Sequence, residues 1–480
     1  MNARQVDKAL RQPSAAQPVA DGRAPARKEK MMDSSATNNG ATNNGAVNIG
    51  SSLFKVALTA GAGATIEWYD FFVYGTAAAL VFPKIFFAAD LPPLVAQLAA
   101  FSTFAVGFIA RPFGGIVFGH FGDLFGRKKA LLVALLTMGL ATTAIGFLPT
   151  YTSVGAFSPL LLLALRFVQG IAVGGQWGGA ALMAIESAPP GRGGFYGSFV
   201  QMGVPLGVVL SNIVFFFVVA AFPQNAFETW AWRVPFILSI ALVFVGLYIQ
   251  TRLEESVAFE QAARTQDSTR KEKRKSPVLQ VLARHPKKVV LAGGAFIASN
   301  TCFYAAITYA VSYGDSVLHL SRSAMLASVV AASVVMVPGL LFFGALSDRW
   351  GRSTLFMAGA ALTGLWSFAF FPLLETLSYP AVLVALIVEL LCLSVMYGPQ
   401  AALFAELFPV DVRYSGASLG YQLGAVIGGG FAPIIATALF AKYASTLPIS
   451  IFLFGVCFIS LTCTYFLTRD AKSSSARRGS

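Results

Sequence analysis

Gly119-His120-Phe121-Gly122-Asp123-Leu124-Phe125-Gly126-Arg127-Lys128-Lys129 stands between two long apolar runs of this chain, and Gly344-Ala345-Leu346-Ser347-Asp348-Arg349-Trp350-Gly351-Arg352 stands between two later ones. Both strings read G-x-x-x-D-x-x-G-R, and the second follows the first by nearly half the chain. A charged turn written twice at that spacing points to a duplicated architecture. The runs on either side of each copy say what kind.

The chain has 480 residues, of which 56% are hydrophobic and only 12% charged. Soluble globular proteins carry about 25% charge, so this is the composition of an integral membrane protein. Apolar stretches recur at lengths that cross a hydrocarbon core of about 30 Å as a helix. Spans are predicted at 54–82, 94–118, 130–149, 157–185, 196–222, 232–251, 288–312, 323–345, 354–374, 379–404, 416–441 and 449–468. That is twelve, six on each side of the polar stretch 252–287. The expected fold is an all-α membrane protein.

Basic residues set the orientation. Arg127, Lys128 and Lys129 follow span 2, Arg192 follows span 4, and Arg264, Arg270, Lys271, Lys273, Arg274 and Lys275 follow span 6. Arg349 and Arg352 follow span 8, and Arg413 follows span 10, whereas the loops between hold only Lys84, Arg322 and Lys442. Lys and Arg concentrate on the cytoplasmic side, so both termini are expected there. The net charge of +13 thus reports topology and offers no soluble basic surface for nucleic acid. Residues 1–50 are polar, without the apolar core of a cleaved signal peptide, and are expected to form a disordered cytoplasmic tail. A second short tail is expected at 469–480.

The four cysteines, Cys302, Cys392, Cys457 and Cys463, lie in apolar spans without a C-x-x-C pair. They read as small core hydrophobes, with no metal or redox site. Gly416-Ala417-Ser418-Leu419-Gly420 matches G-x-S-x-G, but it opens a membrane span, and no histidine follows it to complete a hydrolase triad.

Charges inside spans are expensive and usually face a cavity. Span 1 carries Glu67-Trp68-Tyr69-Asp70-Phe71-Phe72, two carboxylates on one helix face. Desolvation favours the neutral form of such groups, which lets them bind and release a proton. The bland alternative places this stretch near the interface, with Trp68 and Tyr69 as belt aromatics. Span 2 ends in Arg111-Pro112-Phe113-Gly114-Gly115. Arg111 cannot shed its proton, so it needs Asp70 or Glu67, an anionic substrate, or a snorkelling route to the membrane edge. Span 4 places Arg166, Gln169, Val173 and Trp177 on one face, beside Gln176 and glycines that admit a close neighbour. Its alternative is a structural lock near the outer interface. Span 5 carries Gly203-Val204-Pro205-Leu206-Gly207, which can bend or simply pack. In the second half, Asn300, Tyr304, Tyr309, Glu389, Tyr397, Gln400 and Gln422 are polar groups within spans, fit either to line a cavity or to bond between helices.

A second echo joins the first. Glu186 to Arg192 closes span 4, and Glu406-Leu407-Phe408-Pro409 to Arg413 closes span 10. Both halves therefore place an acid and a base at corresponding cytoplasmic ends.

The repeated G-x-x-x-D-x-x-G-R string resembles the signature of the major facilitator superfamily, and Arg166-Phe167-Val168-Gln169-Gly170 resembles its fourth-helix signature. Glu67-Trp68-Tyr69-Asp70-Phe71-Phe72, Arg111 to Gly115, and Glu406 to Pro409 with Arg413-Tyr414-Ser415-Gly416 look like the metabolite:proton symporter family. That family includes shikimate, α-ketoglutarate, citrate and proline/betaine carriers. The resemblance covers roughly residues 54–470. It implies two six-helix bundles, 51–251 and 288–468, joined by a cytoplasmic linker at 252–287, around a cavity that opens alternately to either side. It further implies a monomer in a bacterial inner membrane that imports a small polar metabolite, an organic acid in the first reading and a betaine- or proline-type osmolyte in the second. The proton is the coupling ion, with no other cofactor and no enzyme activity. Osmosensing relatives carry a long coiled-coil tail, and with Ser480 soon after span 12 no osmotic regulation is expected.

On this reading Glu67, Asp70, Arg111 and Arg166 serve proton coupling. Gln169, Gln176, Trp177, Asn300, Tyr304, Tyr397, Gln400 and Gln422 line the substrate cavity. Gly119, Asp123, Gly126, Arg127, Lys128, Glu186 and Arg192, with Gly344, Asp348, Arg349, Gly351, Arg352, Glu406 and Arg413, form a cytoplasmic gate. Asp123 and Asp348 would cap a neighbouring helix N-terminus, while Arg127 and Arg352 bridge to Glu186 and Glu406.

Overall fold

The computed structural model describes residues 61–125, 127–174, 181, 184–185, 188–252, 281, 283–408 and 413–476, with backbone alone for 119–125, 127–128, 130–131, 249–252, 413–415 and 470–476. Among the described residues there is no β-strand. The long helices are α1 (61–80), α2 (Pro93–Phe125), α3 (Arg127–Ile145), α4 (Phe157–Gly174), α5 (Gly193–Ala221), α6 (Val234–Arg252), α7 (Pro286–Ser316), α8 (Arg322–Trp350), α9 (Arg352–Glu375), α10 (Tyr379–Leu407), α11 (413–443) and α12 (Leu447–Ala476). Each predicted span has its helix. Ten are long and apolar enough to cross a membrane, and Leu132–Ile145 of α3 is a shorter apolar segment. Glu67 and Asp70 dilute the apolar character of α1.

The charged strings are less of a loop than the sequence suggests. α2 continues to Phe125 and α8 to Trp350, so most of each motif is helical. In the second copy the reversal occurs at Gly351, whose φ of +93° is a backbone conformation that side chains with a Cβ rarely adopt. Arg352 already begins α9.

Helix contacts within each half rest on small residues. α2 meets α4 where Gly170 lies on Gly107, Gly114 on the Ile171 backbone and Gly174 on the Arg111 backbone. A Cβ at Gly170 would fall 2.6 Å from the Ala110 Cβ, and one at Gly174 would collide with the Arg111 carbonyl. α5 lies on α1 through Gly203 and Gly207, where an added Cβ would stand 2.6 Å from the Ala64 and Trp68 Cβ atoms. Pro205 sits within the continuous helix Gly193–Ala221. The span 5 glycines therefore serve packing, the plainer of their two sequence readings. Lipid offers no hydrophobic drive between helices, so close backbone approach supplies the attraction.

Across the halves, α5 packs along α8 and against α10, and α2 packs against α11. The rings of α1 meet those of α7: Phe72 lies 5.8 Å from Phe303 and 6.2 Å from Tyr304. α7 and α11 each widen by a π-turn, at Ala305–Tyr309 and Ala425–Gly430. Such turns are frequent at functional sites. The sequence reading missed both, and its available signal was the run Gly428-Gly429-Gly430.

Candidate functional site

The centre of the helix assembly is aromatic and cationic. Trp68, Phe71, Phe72, Phe104, Phe108, Phe303 and Tyr304 form one connected ring cluster, with Tyr304 5.1 Å from Phe108 and 5.6 Å from Phe104. Arg111 and Arg166 are both fully buried within it. The Arg111 guanidinium lies 4.3 Å from the Phe108 ring centroid, 4.4 Å from Phe71 and 5.4 Å from Trp68. The Arg166 guanidinium lies 4.1 Å from Phe71, 4.2 Å from Tyr74 and 4.8 Å from Phe104. Phe71 is thus shared by two cations. Ring faces attract cations, but they do not satisfy N–H donors.

Those of Arg166 are largely unused. Arg166 Nη1 donates to Gln169 Oε1 at 3.1 Å, and Gln169 Nε2 donates to Thr142 Oγ1 at 2.8 Å. Arg166 Nε and Nη2 make no hydrogen bond, and the groups that face the Arg111 guanidinium are neutral hydroxyls rather than carboxylates. The hydroxyls of Tyr304 and Tyr421 lie within electrostatic reach of Arg111. Gly107, which the sequence reading missed, makes the room for Arg166: a Cβ there would stand 2.8 Å from its Cζ and nearer still to its Nε. Gly107→Ala should therefore cost about 1–3 kcal/mol by overpacking, visible as a lower melting temperature in detergent. Gly115→Ala is the control, because its added Cβ meets only the Gly174 carbonyl at 3.5 Å. Equal melting temperatures would show that Arg166 moves aside freely.

The expectation that Asp70 or Glu67 partners Arg111 is not met. Among the described residues no ion pair joins these groups. Asp70 is fully buried. Ser239 of α6 is its near neighbour, while Tyr69 beside it donates to the Pro235 carbonyl at 2.8 Å. Asp70 thus faces α6, away from the arginines, because one helical step separates it from Phe71. Glu67 is half-buried. Arg111 does not snorkel, and Arg166 is in the core rather than locked at an interface. Glu389 of α10 is a third buried acid, 2% exposed, near the thiols of Cys302 and Cys392. Cys302 Sγ and Cys457 Sγ approach to 3.6 Å, a pairing of α7 with α12 that spacing could not reveal.

A central cavity of about 10 Å³ is lined by Trp68, Ser299, Asn300, Phe303, Tyr304, Met336, Tyr397 and Tyr421, among others. That is room for about one water. Of the eight predicted lining residues it holds Asn300, Tyr304 and Tyr397. Gln169 instead orients Arg166. Gln422 Nε2 donates to the Gly174 carbonyl at 3.0 Å, bonding α11 to α4. Gln400 is fully buried without a side-chain partner and lies off the cavity. Polar type alone did not distinguish lining from interhelical bonding.

At the end marked by Gly351 each letter of the second motif has a job. Gly344 admits α5, and a Cβ there would fall 2.8 Å from Ser198. Asp348 accepts from the Gly194 and Phe195 backbone N–H groups, at 2.8 and 3.0 Å, at the start of α5. Arg352 Nη2 reaches Asp348 Oδ1 at 3.2 Å, and its Nη1 pairs with Glu406 at the end of α10. Arg192 and Arg349 are exposed. Gly126, Gln176, Trp177 and Glu186 lie outside the described residues, as do the side chains of Asp123, Arg127, Lys128 and Arg413 and the surroundings of Gly119.

The opposite end carries an ionic chain that the sequence reading missed. Lys84 Nζ meets Glu228 Oε1 at 2.7 Å, Arg322 Nη1 meets the same oxygen at 3.7 Å, and Arg322 Nε meets Asp315 Oδ1 at 2.8 Å. Burial pushes the Glu228 carboxyl up, but hydrogen bonds from Lys84 and Gln224 and the charges of Lys84 and Arg322 outweigh it and hold the group below the usual glutamate range. A depressed carboxylate keeps its contribution until the pH falls through that lowered value, so Glu228 stays ionised at neutral and mildly acidic pH. The available signal was the isolation of these charges in otherwise apolar connections.

The profile of the Major Facilitator Superfamily matches residues 60–420 and 335–480. The shikimate transporter of Escherichia coli K12 is 38% identical over 427 residues, which cover 87% of this chain and 95% of the relative. The inner membrane metabolite transport protein YhjE of the same organism is 41% identical over 397 residues, 81% of this chain and 88% of the relative. The solved proton:xylose symporter XylE shares the fold, with a TM-score of 0.70 at 18% identity, covering 88% of this chain and 96% of that one. With twelve long helices among the described residues, glycine-mediated packing and a motif latch at one end, this chain is a multi-pass membrane carrier and not an enzyme, and it belongs to the major facilitator superfamily.

Proposed function

We propose that the protein imports a small organic acid with protons by alternating access, as a monomer in a bacterial inner membrane with both termini in the cytoplasm. One observation carries the substrate class: two fully buried guanidiniums share the Phe71 ring, and among the described residues neither has a carboxylate partner. Buried charge without a counter-ion is strongly unfavourable. A carboxylate arriving between α1, α2 and α4 relieves that cost and the repulsion between the two cations. The similarity to a shikimate transporter supports the same class. Asp70, and Glu67 one turn away, carry the proton, since they are carboxyls within a span that pair with no cation among the described residues. Asn300, Tyr304 and Tyr397 orient the rest of the substrate. The cavity is smaller than any metabolite, so binding requires α1 and α7 to separate.

The osmolyte alternative has one feature in its favour, the aromatic lining of Trp68, Tyr304, Tyr397 and Tyr421, which suits a quaternary ammonium. The adjacent Arg111 opposes a cation. Uptake of a panel of organic acids and betaines into proteoliposomes, with a pH electrode in the same vessel, tests the choice. Uptake of betaines alone would reverse it.

Positive-inside placement makes the Gly351 end cytoplasmic, and the bonds of Asp348 then hold that side shut. Ser347 is 1% exposed there. In a background lacking the four native cysteines, Ser347→Cys should react slowly with an impermeant maleimide from the cytoplasmic face. Adding Asp348→Ala removes hydrogen bonds to a charged acceptor and should speed labelling by about tenfold or more. Unchanged labelling would show that Asp348 does not hold the gate.

A further inference from the structure

A second cavity, of about 620 Å³, opens between residues 79–97 of α1, α2 and their connection and the ends of α7 and α11. It has the size of a small-molecule site. Leu80, Pro83, Leu94 and Phe440 supply apolar wall, and Gln97, Tyr309 and Ser312 supply polar groups.

Tyr309 is the informative residue. It is the last residue of the π-turn of α7, is only 3% exposed, and its hydroxyl has no hydrogen-bond partner. The neighbouring donors are engaged: Tyr313 donates to Glu375 at 3.0 Å, and Ser316 to the Ser312 carbonyl at 2.6 Å. Tyr313 stacks on Tyr309 at 5.9 Å and fixes the ring. A buried hydroxyl held rigid and unbonded beside an open cavity is suited to a guest.

The ionic chain lies beside this cavity, and its two ends, Lys84 and Asp315, are among the lining residues. Lys84 and Glu228 belong to the first half, Arg322 and Asp315 to the second. The bond that joins the halves, Glu228 to Arg322, is the longest of the three at 3.7 Å.

We propose that this cavity is an outer binding site for the transported carboxylate, occupied before the substrate reaches the arginine pair. The inference rests on the organic-acid reading above. The incoming carboxylate takes the place of Glu228 on Arg322 and Lys84, an exchange of one carboxylate for another that leaves no cation uncompensated. The carbon skeleton lies on the apolar wall, and Tyr309 donates to a second polar atom of the substrate.

The test uses the full chain in proteoliposomes and in detergent, with radiolabelled shikimate, α-ketoglutarate and citrate as probes. Tyr309→Phe keeps the ring, and Lys84→Gln changes an exposed group, so both should fold. Removing one hydrogen bond should raise KM for the transported acid by about fivefold in Tyr309→Phe, with kcat unchanged. Lys84→Gln should raise KM similarly. Equilibrium binding in detergent should show two sites per chain, and Tyr309→Phe should weaken one of them about fivefold with the affinity of the other unaltered. A single site in the wild type, or KM unchanged in both variants, overturns the outer site and leaves the central one standing. A wild type that moves none of the three acids overturns the carboxylate reading, and the outer site with it.

Discussion

Arg166→Lys should lower kcat/KM for uptake of the organic acid by about 100-fold or more. Lysine keeps the charge but loses the planar fork. In the native arrangement that fork spends one donor on Gln169, which Thr142 holds in turn, and presents Nε and Nη2 unbonded at the ring cluster. Leaving a buried carboxylate short of such a partner costs about 2–5 kcal/mol, and each 1.4 kcal/mol is about tenfold. Gln169→Leu should share part of the loss, since it frees the guanidinium to rotate. The measurement is initial-rate uptake into proteoliposomes alongside a melting curve in detergent. A loss below about threefold with intact stability would remove Arg166 from substrate binding.

Asp70→Asn should abolish accumulation while sparing exchange. The amide is close in shape to the neutral acid and cannot take up or release a proton. Net uphill uptake requires the carrier to return after giving up its proton. Counterflow of labelled for unlabelled substrate requires only that the loaded form cross in both directions. Internal substrate should therefore reach no more than the external concentration under an imposed proton gradient, with counterflow retained. Accumulation undiminished would take Asp70 out of coupling. Loss of counterflow as well would make it a structural or binding residue, which its closeness to Ser239 of α6 allows.

The fold was largely legible in the sequence because its determinants are linear. Span length, spacing of basic residues and a motif repeated between spans need no knowledge of which helix lies beside which. The latch was legible in part for the same reason: the sequence suggests Asp348 at a helix N-terminus and Arg352 on Glu406, and the structure adds the Asp348–Arg352 contact, Gly344 for the approach of α5 and Gly351 for a positive φ. Partnerships fixed by helix rotation were not legible. Asp70 and Phe71 are adjacent in sequence, yet one faces α6 and the other the two arginines. The sequence could name Arg111 and Arg166 but not the ring they share, and it had no means to find Gly107, whose only distinction is a missing side chain beside Arg166. The outer ionic chain draws its members from three connections, and no linear pattern joins Lys84, Glu228, Asp315 and Arg322.

In the proposed mechanism, movement of an organic acid is tied to protons. It is tested most directly by purified protein in proteoliposomes holding an internal pH indicator, given shikimate, α-ketoglutarate or citrate from outside in sodium-free buffer. The account predicts acid-dependent proton movement into the vesicles, accumulation driven by an inward proton gradient, and collapse of accumulation on adding a protonophore. Uptake that ignores the protonophore and stops when sodium is withdrawn would contradict it.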